Sequence, residues 1–94
     1  MKVEVENVIR PGKVYRVDGD KYEATRKAML EVLPAASPGL TADELLERLR
    51  PRLPERFFPG GATAGWWMKC VQLDLEAKGV VVRERTRPLR LRRA

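Results

Sequence analysis

The side chains best suited to ligand chemistry in this sequence are arginines near its C-terminal end. The formal net charge of the chain is +6, and residues 80–94 contain six arginines with one acidic residue, Glu84. The six are Arg83, Arg85, Arg87, Arg90, Arg92 and Arg93. Because a guanidinium group forms paired hydrogen bonds with phosphate oxygens, this cluster indicates binding to nucleic acid or another polyanion. The alternative is a solvated basic segment that only keeps the protein soluble.

Residues that support catalysis or metal binding are scarce. The 94 residues include no histidine and one cysteine, Cys70, which argues against a histidine-based triad and a zinc framework. Cys70 is expected to be a small buried apolar residue, since no histidine is present to activate its thiol. Two acidic pairs, Asp18 with Asp20 and Asp74 with Glu76, are attributed to helix capping and solvation. We therefore predict a protein without enzymatic activity, cofactor or bound metal.

Residues 63–78 are predicted to form a helix, and its polar face is a second candidate for nucleic-acid contact. Lys69, Gln72 and Glu76 fall on one narrow polar strip at helical spacing. Lys69 and Gln72 carry donors that suit base edges, so both are candidate nucleic-acid-binding residues. Glu76 would repel phosphates, which weakens the case for base reading by this helix.

The other faces of this helix are apolar. The expected core consists of Trp67, Val71 and Leu75 on this helix and Met29, Leu33, Leu45 and Leu49 on two earlier helices. A second apolar stripe consists of Trp66, Cys70, Leu73 and Ala77. Because two stripes need burial on two sides, the second is expected to contact the N-terminal hairpin, the phenylalanine loop or another subunit. Trp66 and Leu73 are therefore candidate protein-interface residues, and an exposed tryptophan is a frequent binding hot spot.

Two β-hairpins are predicted, one at each end of the chain. Valines alternate with charged residues over 3–8, and residues 14–17 return as a second strand after a turn at Pro11–Gly12. Near the C-terminal end, residues 80–82 and residues 89–92 form the two strands of another hairpin, with a proline-containing turn between them. Alternation in the last strand places its arginines on one face.

Two further helices are predicted between the first hairpin and residue 63. Asp20 and Glu23 have the spacing of a capping box at the start of the first helix, which Pro34 ends. Thr41 and Glu44 repeat that spacing at the start of the second helix, which two prolines close. These helices supply the partners for the apolar stripe of the third.

The order of a hairpin, three helices and a second hairpin predicts one α+β domain over residues 1–94, arranged as a winged helix. It would have a three-helix core, the C-terminal hairpin as its wing and an extra N-terminal hairpin. Residues 75–84, Leu-Glu-Ala-Lys-Gly-Val-Val-Val-Arg-Glu, resemble the junction between recognition helix and wing in many bacterial repressors. Residues 51–62 depart from this pattern, because they are longer than the usual turn of a helix-turn-helix.

Nearly the whole chain also resembles a small uncharacterised bacterial family, known only as a domain of unknown function. The likeness rests on Lys-Tyr-Glu at 21–23, Phe-Pro-Gly-Gly-Ala at 58–62 and Gly-Trp-Trp-Met-Lys-Cys-Val-Gln-Leu-Asp-Leu-Glu-Ala-Lys-Gly at 65–79. The resemblance implies a winged-helix-like fold and no particular activity.

These observations favour a nucleic-acid-binding protein, in the form of a transcriptional regulator that contacts DNA through an arginine-rich wing and tail. The alternative is a protein–protein interaction module on the same scaffold, with a second copy of the chain or another protein as its partner. No apolar stretch approaches the ~20 residues needed to span a membrane, and the first residues lack the apolar run of a secretory signal. We therefore expect a cytoplasmic protein without membrane contact.

Overall fold

The computed structural model describes residues 1–94 and contains three α-helices and five β-strands. In chain order they are β1 (Lys2–Glu6), β2 (Val14–Asp18), α1 (Gly19–Val32), β3 (Leu40–Thr41), α2 (Ala42–Leu49), α3 (Ala64–Ala77), β4 (Val81–Glu84) and β5 (Arg90–Arg93). Two short 3-10 segments, Arg50–Arg52 and Pro59–Gly61, lie between α2 and α3. The predicted α+β class and the order of hairpins and helices are confirmed.

The five strands form two small antiparallel sheets. β1 pairs with β2 in the first, and β5 lies between β3 and β4 in the second. The short β3 was not predicted, because two residues cannot show an alternating pattern; it is defined by the pairing of Leu40 with Leu91 of β5. Gly39, directly before β3, has a φ of +85°, and a Cβ atom there would lie 2.2 Å from the carbonyl oxygen of Leu91. A glycine is therefore needed where the chain enters this sheet.

The starts of α1 and α2 are set by side-chain caps. Asp18, not Asp20, caps α1, because its Oδ1 atom accepts hydrogen bonds from the backbone N–H groups of Asp20 at 2.8 Å and Lys21 at 3.2 Å. The capping box predicted from Asp20 is therefore wrong, since β2 runs straight into the helix and its last residue takes the cap position. The box predicted at Thr41 and Glu44 is confirmed by both reciprocal hydrogen bonds, at 3.1 Å and 2.9 Å.

The core is built around α3. All seven residues expected to form it are buried, and Phe58 from the preceding loop joins them with 1 % of its surface exposed. The ring of Phe58 meets the ring of Trp67 edge to face, with 6.5 Å between centroids. The long segment before α3 thus contributes a core side chain. None of the helices is long and apolar enough to cross a membrane.

Candidate functional site

Two of the six C-terminal arginines form hydrogen bonds of 3.0 Å or less with carboxylates of the protein itself. Arg83 on β4 bonds Glu76 of α3 at two points, with Nε 2.7 Å from Oε1 and Nη2 3.0 Å from Oε2. This contact raises the pKa of Arg83 above its ordinary value. Arg92 places Nε 2.8 Å from Oε1 of Glu84, and this hydrogen bond lowers the pKa of Glu84. Both arginines therefore tie parts of the fold together.

Two more arginines bond backbone carbonyl groups. Nη1 of Arg90 lies 3.2 Å from the carbonyl oxygen of Gly39 and 3.4 Å from Oε1 of Glu44. Nε of Arg93 lies 2.7 Å from the carbonyl oxygen of Leu33, at the end of α1. Four of the six candidate phosphate ligands thus have partners within the protein, which their spacing in the sequence did not reveal. Arg83, Arg90 and Arg93 join the hairpin to the helical part of the fold, and Arg92 joins β5 to β4.

The remaining two, Arg85 and Arg87, lie in the turn between β4 and β5. Both are exposed, and neither forms an ion pair or a side-chain hydrogen bond with the protein. The turn is shaped by its own contact, in which the Thr86 hydroxyl donates to the carbonyl oxygen of Pro88 at 2.7 Å. The tip of the hairpin therefore presents two guanidinium groups with all of their donors free.

The polar strip expected on α3 is only partly exposed. Lys69 lies in solvent, but Gln72 is 1 % exposed and its Nε2 donates to Oε2 of Glu76 at 3.0 Å. The expectation that Gln72 is free to meet a base edge is therefore wrong. The reason is the contact of Glu76 with Arg83, which brings the base of the hairpin against this side of the helix.

Asp74, expected to be a solvated residue of α3, is fully buried. Its Oδ1 accepts a hydrogen bond from the backbone N–H of Glu6 at 2.8 Å, and its Oδ2 accepts from the hydroxyl of Tyr22 and from Nζ of Lys78, the latter at 2.9 Å. Burial and the Asp74 contact raise the pKa of Tyr22 well above its ordinary value. This carboxylate joins β1 and α1 to α3, so its role is structural.

A cleft of about 390 Å³ lies between the N-terminal hairpin and α3, and we call it the β2/α3 groove. The residues that line it are Val5, Glu6, Asn7, Tyr15, Arg16, Val17, Trp66, Lys69, Cys70 and Leu73. Leu73 is covered by the hairpin with 8 % exposed, while 59 % of Trp66 and 42 % of Tyr15 remain exposed. The second apolar stripe of α3 therefore contacts the N-terminal hairpin, as expected, but leaves Trp66 accessible.

Trp66 is oriented by its neighbour in the sequence. Its ring meets the ring of Trp67 edge to face at 5.1 Å between centroids, and Trp67 is anchored in the core. An exposed aromatic ring held in one orientation loses little conformational freedom on binding. On the floor of the groove, burial raises the pKa of the Cys70 thiol, so this cysteine is no activated nucleophile.

Sequence reasoning did not predict that residues of β2, among them Tyr15 and Val17, form one wall of this groove. Tyr15 and Val17 are opposite Val5 and Val3 in the hairpin register, so they share the face that packs toward α3. The alternation in both strands carried that information. It could not show where α3 lies relative to these two strands, so it did not predict a groove between them.

Comparison with known proteins identifies a family but not an activity. No curated protein and no solved structure matches the chain. A family model, described as a family of unknown function (DUF6958), matches residues 2–91. The match covers almost the whole sequence, so the chain belongs to the DUF6958 family of unknown function.

Proposed function

We propose that this chain is a winged-helix nucleic-acid-binding protein whose β4–β5 hairpin is the wing and contacts phosphate groups. The winged-helix interpretation is supported by the three helices and by the sheet in which β5 lies between β3 and β4. It is also supported by the position of β3, which directly precedes α2 and pairs with the second strand of the hairpin.

The observation that carries the proposal is the pair of free arginines at the hairpin tip. Arg85 and Arg87 are exposed on a turn, where a guanidinium group reaches phosphate oxygens without losing an internal partner. The other four arginines would have to give up contacts with the protein. The proposed contact therefore centres on the tip rather than on the whole basic segment.

We propose binding that tolerates many sequences. Lys69 is the one exposed charged side chain on α3, and the other polar side chains of the helix, Gln72, Asp74 and Glu76, bond other groups of the protein. Base recognition usually needs several donors and acceptors in the major groove. We therefore do not propose a regulator that recognises one operator sequence through α3.

The test compares the affinity for several unrelated duplex DNA sequences at low salt, by fluorescence anisotropy. We expect similar affinities for all of them, a clear loss in Arg85→Ala/Arg87→Ala, and little change in Lys69→Ala. Strong preference for one sequence that disappears in Lys69→Ala would overturn the proposal, because α3 would then be a reading helix.

A second candidate function is supported by a different observation, the exposure of Trp66 beside an apolar groove. Large aromatic side chains with a polar atom dominate the binding energy of many protein interfaces. The β2/α3 groove also has the mainly apolar lining, with a few charged groups, that is typical of binding sites. We therefore propose a protein–protein interaction module as the alternative, acting through a surface separate from the hairpin tip.

A further inference from the structure

We infer that the β2/α3 groove binds an extended acidic segment of a partner protein, which adds to the edge of β2 as a third strand of the first sheet. The inference deepens the second candidate function and rests on it. It is independent of nucleic-acid binding at the hairpin tip.

The outer edge of β2 is open, because no strand or helix pairs with its backbone groups. The backbone N–H of Gly19 donates to the carbonyl oxygen of Met1 at 2.7 Å, so these directly opposite residues form a hydrogen-bonded pair. In an antiparallel ladder such pairs alternate, which makes Val5 and Tyr15 another hydrogen-bonded pair. The N–H and C=O groups of Val14 and Arg16, the β2 residues on either side of Tyr15, therefore point away from β1 and are free to pair.

The other edge of this sheet is covered by α3 at the end of β1. The backbone N–H of Glu6 donates to Asp74, and the N–H of Val8 donates to the carbonyl oxygen of Leu73 at 3.3 Å. Both partners belong to α3, which occupies the side of β1. The β2 edge, which has no such contact with α3, is therefore the edge at which we place the added strand.

The β2/α3 groove adjoins this open edge of β2. Tyr15, Arg16 and Val17 line it consecutively. Because successive side chains of a strand point to opposite faces, three consecutive lining residues mean that the groove reaches around the edge of β2 itself. Its opposite wall is formed by Trp66 and Lys69. An added strand would direct alternate side chains into the apolar space between these walls.

The charged side chains at the groove are mainly basic. Arg16 and Lys69 line the groove, and Lys13 is exposed just before β2, whereas Glu6 is the one acidic lining residue. Acidic side chains at the outward positions of an added strand would complement these cations. A second copy that paired antiparallel with β2 over residues 14–18 would place the two Arg16 side chains opposite each other, and opposed like charges destabilise strand pairing. The charges therefore favour a different, acidic partner.

The test uses a library of short peptides that alternate an apolar residue with Glu or Asp, together with the same library carrying Lys at the charged positions. We expect the acidic library to yield binders that the basic library lacks. Trp66→Ala should weaken the best binder about tenfold or more. Ile9→Ala is the matched control, because Ile9 is 60 % exposed on the same hairpin but lies outside the groove.

Backbone pairing is tested on the peptide rather than on the protein, so that folding is unaffected. The best binder is made in two forms, N-methylated at its odd or at its even positions. Strand addition predicts that one form loses binding while the other keeps it, since only alternate N–H groups face β2. Equal affinities of the two forms would overturn strand addition, and continued weakening by Trp66→Ala would still support the groove as an interface.

Three further outcomes would overturn the inference altogether. One is the absence of any acidic peptide whose binding depends on Trp66. Another is a dimer, in sedimentation, that Trp66→Ala dissociates, because a second copy would then occupy the groove. The third is single-stranded DNA bound through Trp66, by stacking on the exposed rings. Arg85→Ala/Arg87→Ala serves as a separate control, since failure at the hairpin tip leaves peptide binding unchanged.

Discussion

Glu76 holds Arg83 at two points, with nitrogen-to-oxygen distances of 2.7 Å and 3.0 Å, and so joins the base of the β4–β5 hairpin to α3. The Glu76 side chain is only 6 % exposed, so little of its carboxylate is left to contact water. The two residues are seven positions apart in the chain, on different elements. From the sequence, Arg83 was a candidate phosphate ligand and Glu76 was expected to be solvated. Arg83 therefore stabilises the fold, whereas Arg85 and Arg87, which have no such partner, are free to bind a ligand.

Arg83→Ala should therefore act mainly on stability. Removing the guanidinium leaves a nearly buried carboxylate without its partner, which costs about 1–3 kcal/mol. The free energy of unfolding from urea titration measures this, and Arg85→Ala, which removes an arginine without protein contacts, is the control. Equal stability of the two variants would contradict the structural role of Arg83.

Gly39→Ala should destabilise the protein more than Gly12→Ala. Both glycines have positive φ angles, +85° and +87°, so alanine strains the backbone at either position by about 1 kcal/mol. Only at Gly39 does the added Cβ meet other atoms, because the carbonyl oxygen of Leu91 lies 2.2 Å away. Thermal unfolding of both variants isolates the clash, and similar melting temperatures would argue against the pairing of β3 with β5.

The two adjacent tryptophans should respond differently to truncation. Trp67 is 7 % exposed and packs in the core, so Trp67→Ala should cost ~3–5 kcal/mol of unfolding free energy. Trp66 is 59 % exposed, and Trp66→Ala should cost much less. Denaturant titration of each variant provides the comparison, and a large loss in Trp66→Ala would mean that its ring stabilises the fold.

Tyr22 should make stability fall at alkaline pH. Its pKa in the folded protein lies well above the ordinary value near 10, because of burial and the contact with Asp74. The raised folded pKa means that this contribution is complete below about pH 10 and is lost as the pH rises toward the folded pKa. Urea titrations at neutral and alkaline pH should show that Tyr22→Phe reduces the loss, and an alkaline loss as large as that of the wild type would contradict this role of Tyr22.

Local signals predicted most of the secondary structure. The capping box at Thr41 and Glu44, the turn at Pro11–Gly12 and the helical spacing of Trp67, Val71 and Leu75 depend on neighbours within a few residues. Each of these features restricts the backbone or the buried face directly, whatever the rest of the chain does.

What sequence reasoning missed depends on contacts between distant parts of the chain. Asp74 looked solvated because its partner Tyr22 is 52 positions away, and Arg93 looked free because it bonds the carbonyl oxygen of Leu33, 60 positions away. No periodic pattern reports such pairs. The same reason explains why the open edge of β2 beside Trp66 became visible only in three dimensions.

The most direct test of phosphate binding at the hairpin tip is the salt dependence of affinity for mixed-sequence duplex DNA. The variants are Arg85→Ala/Arg87→Ala and the control Arg10→Ala/Lys27→Ala, which removes two exposed positive charges elsewhere. If the tip arginines each contact a phosphate, the slope of log K against log salt falls by about two units in the first variant and stays at the wild-type value in the control. Equal slopes in both variants, or no binding by the wild type at low salt, would contradict the account.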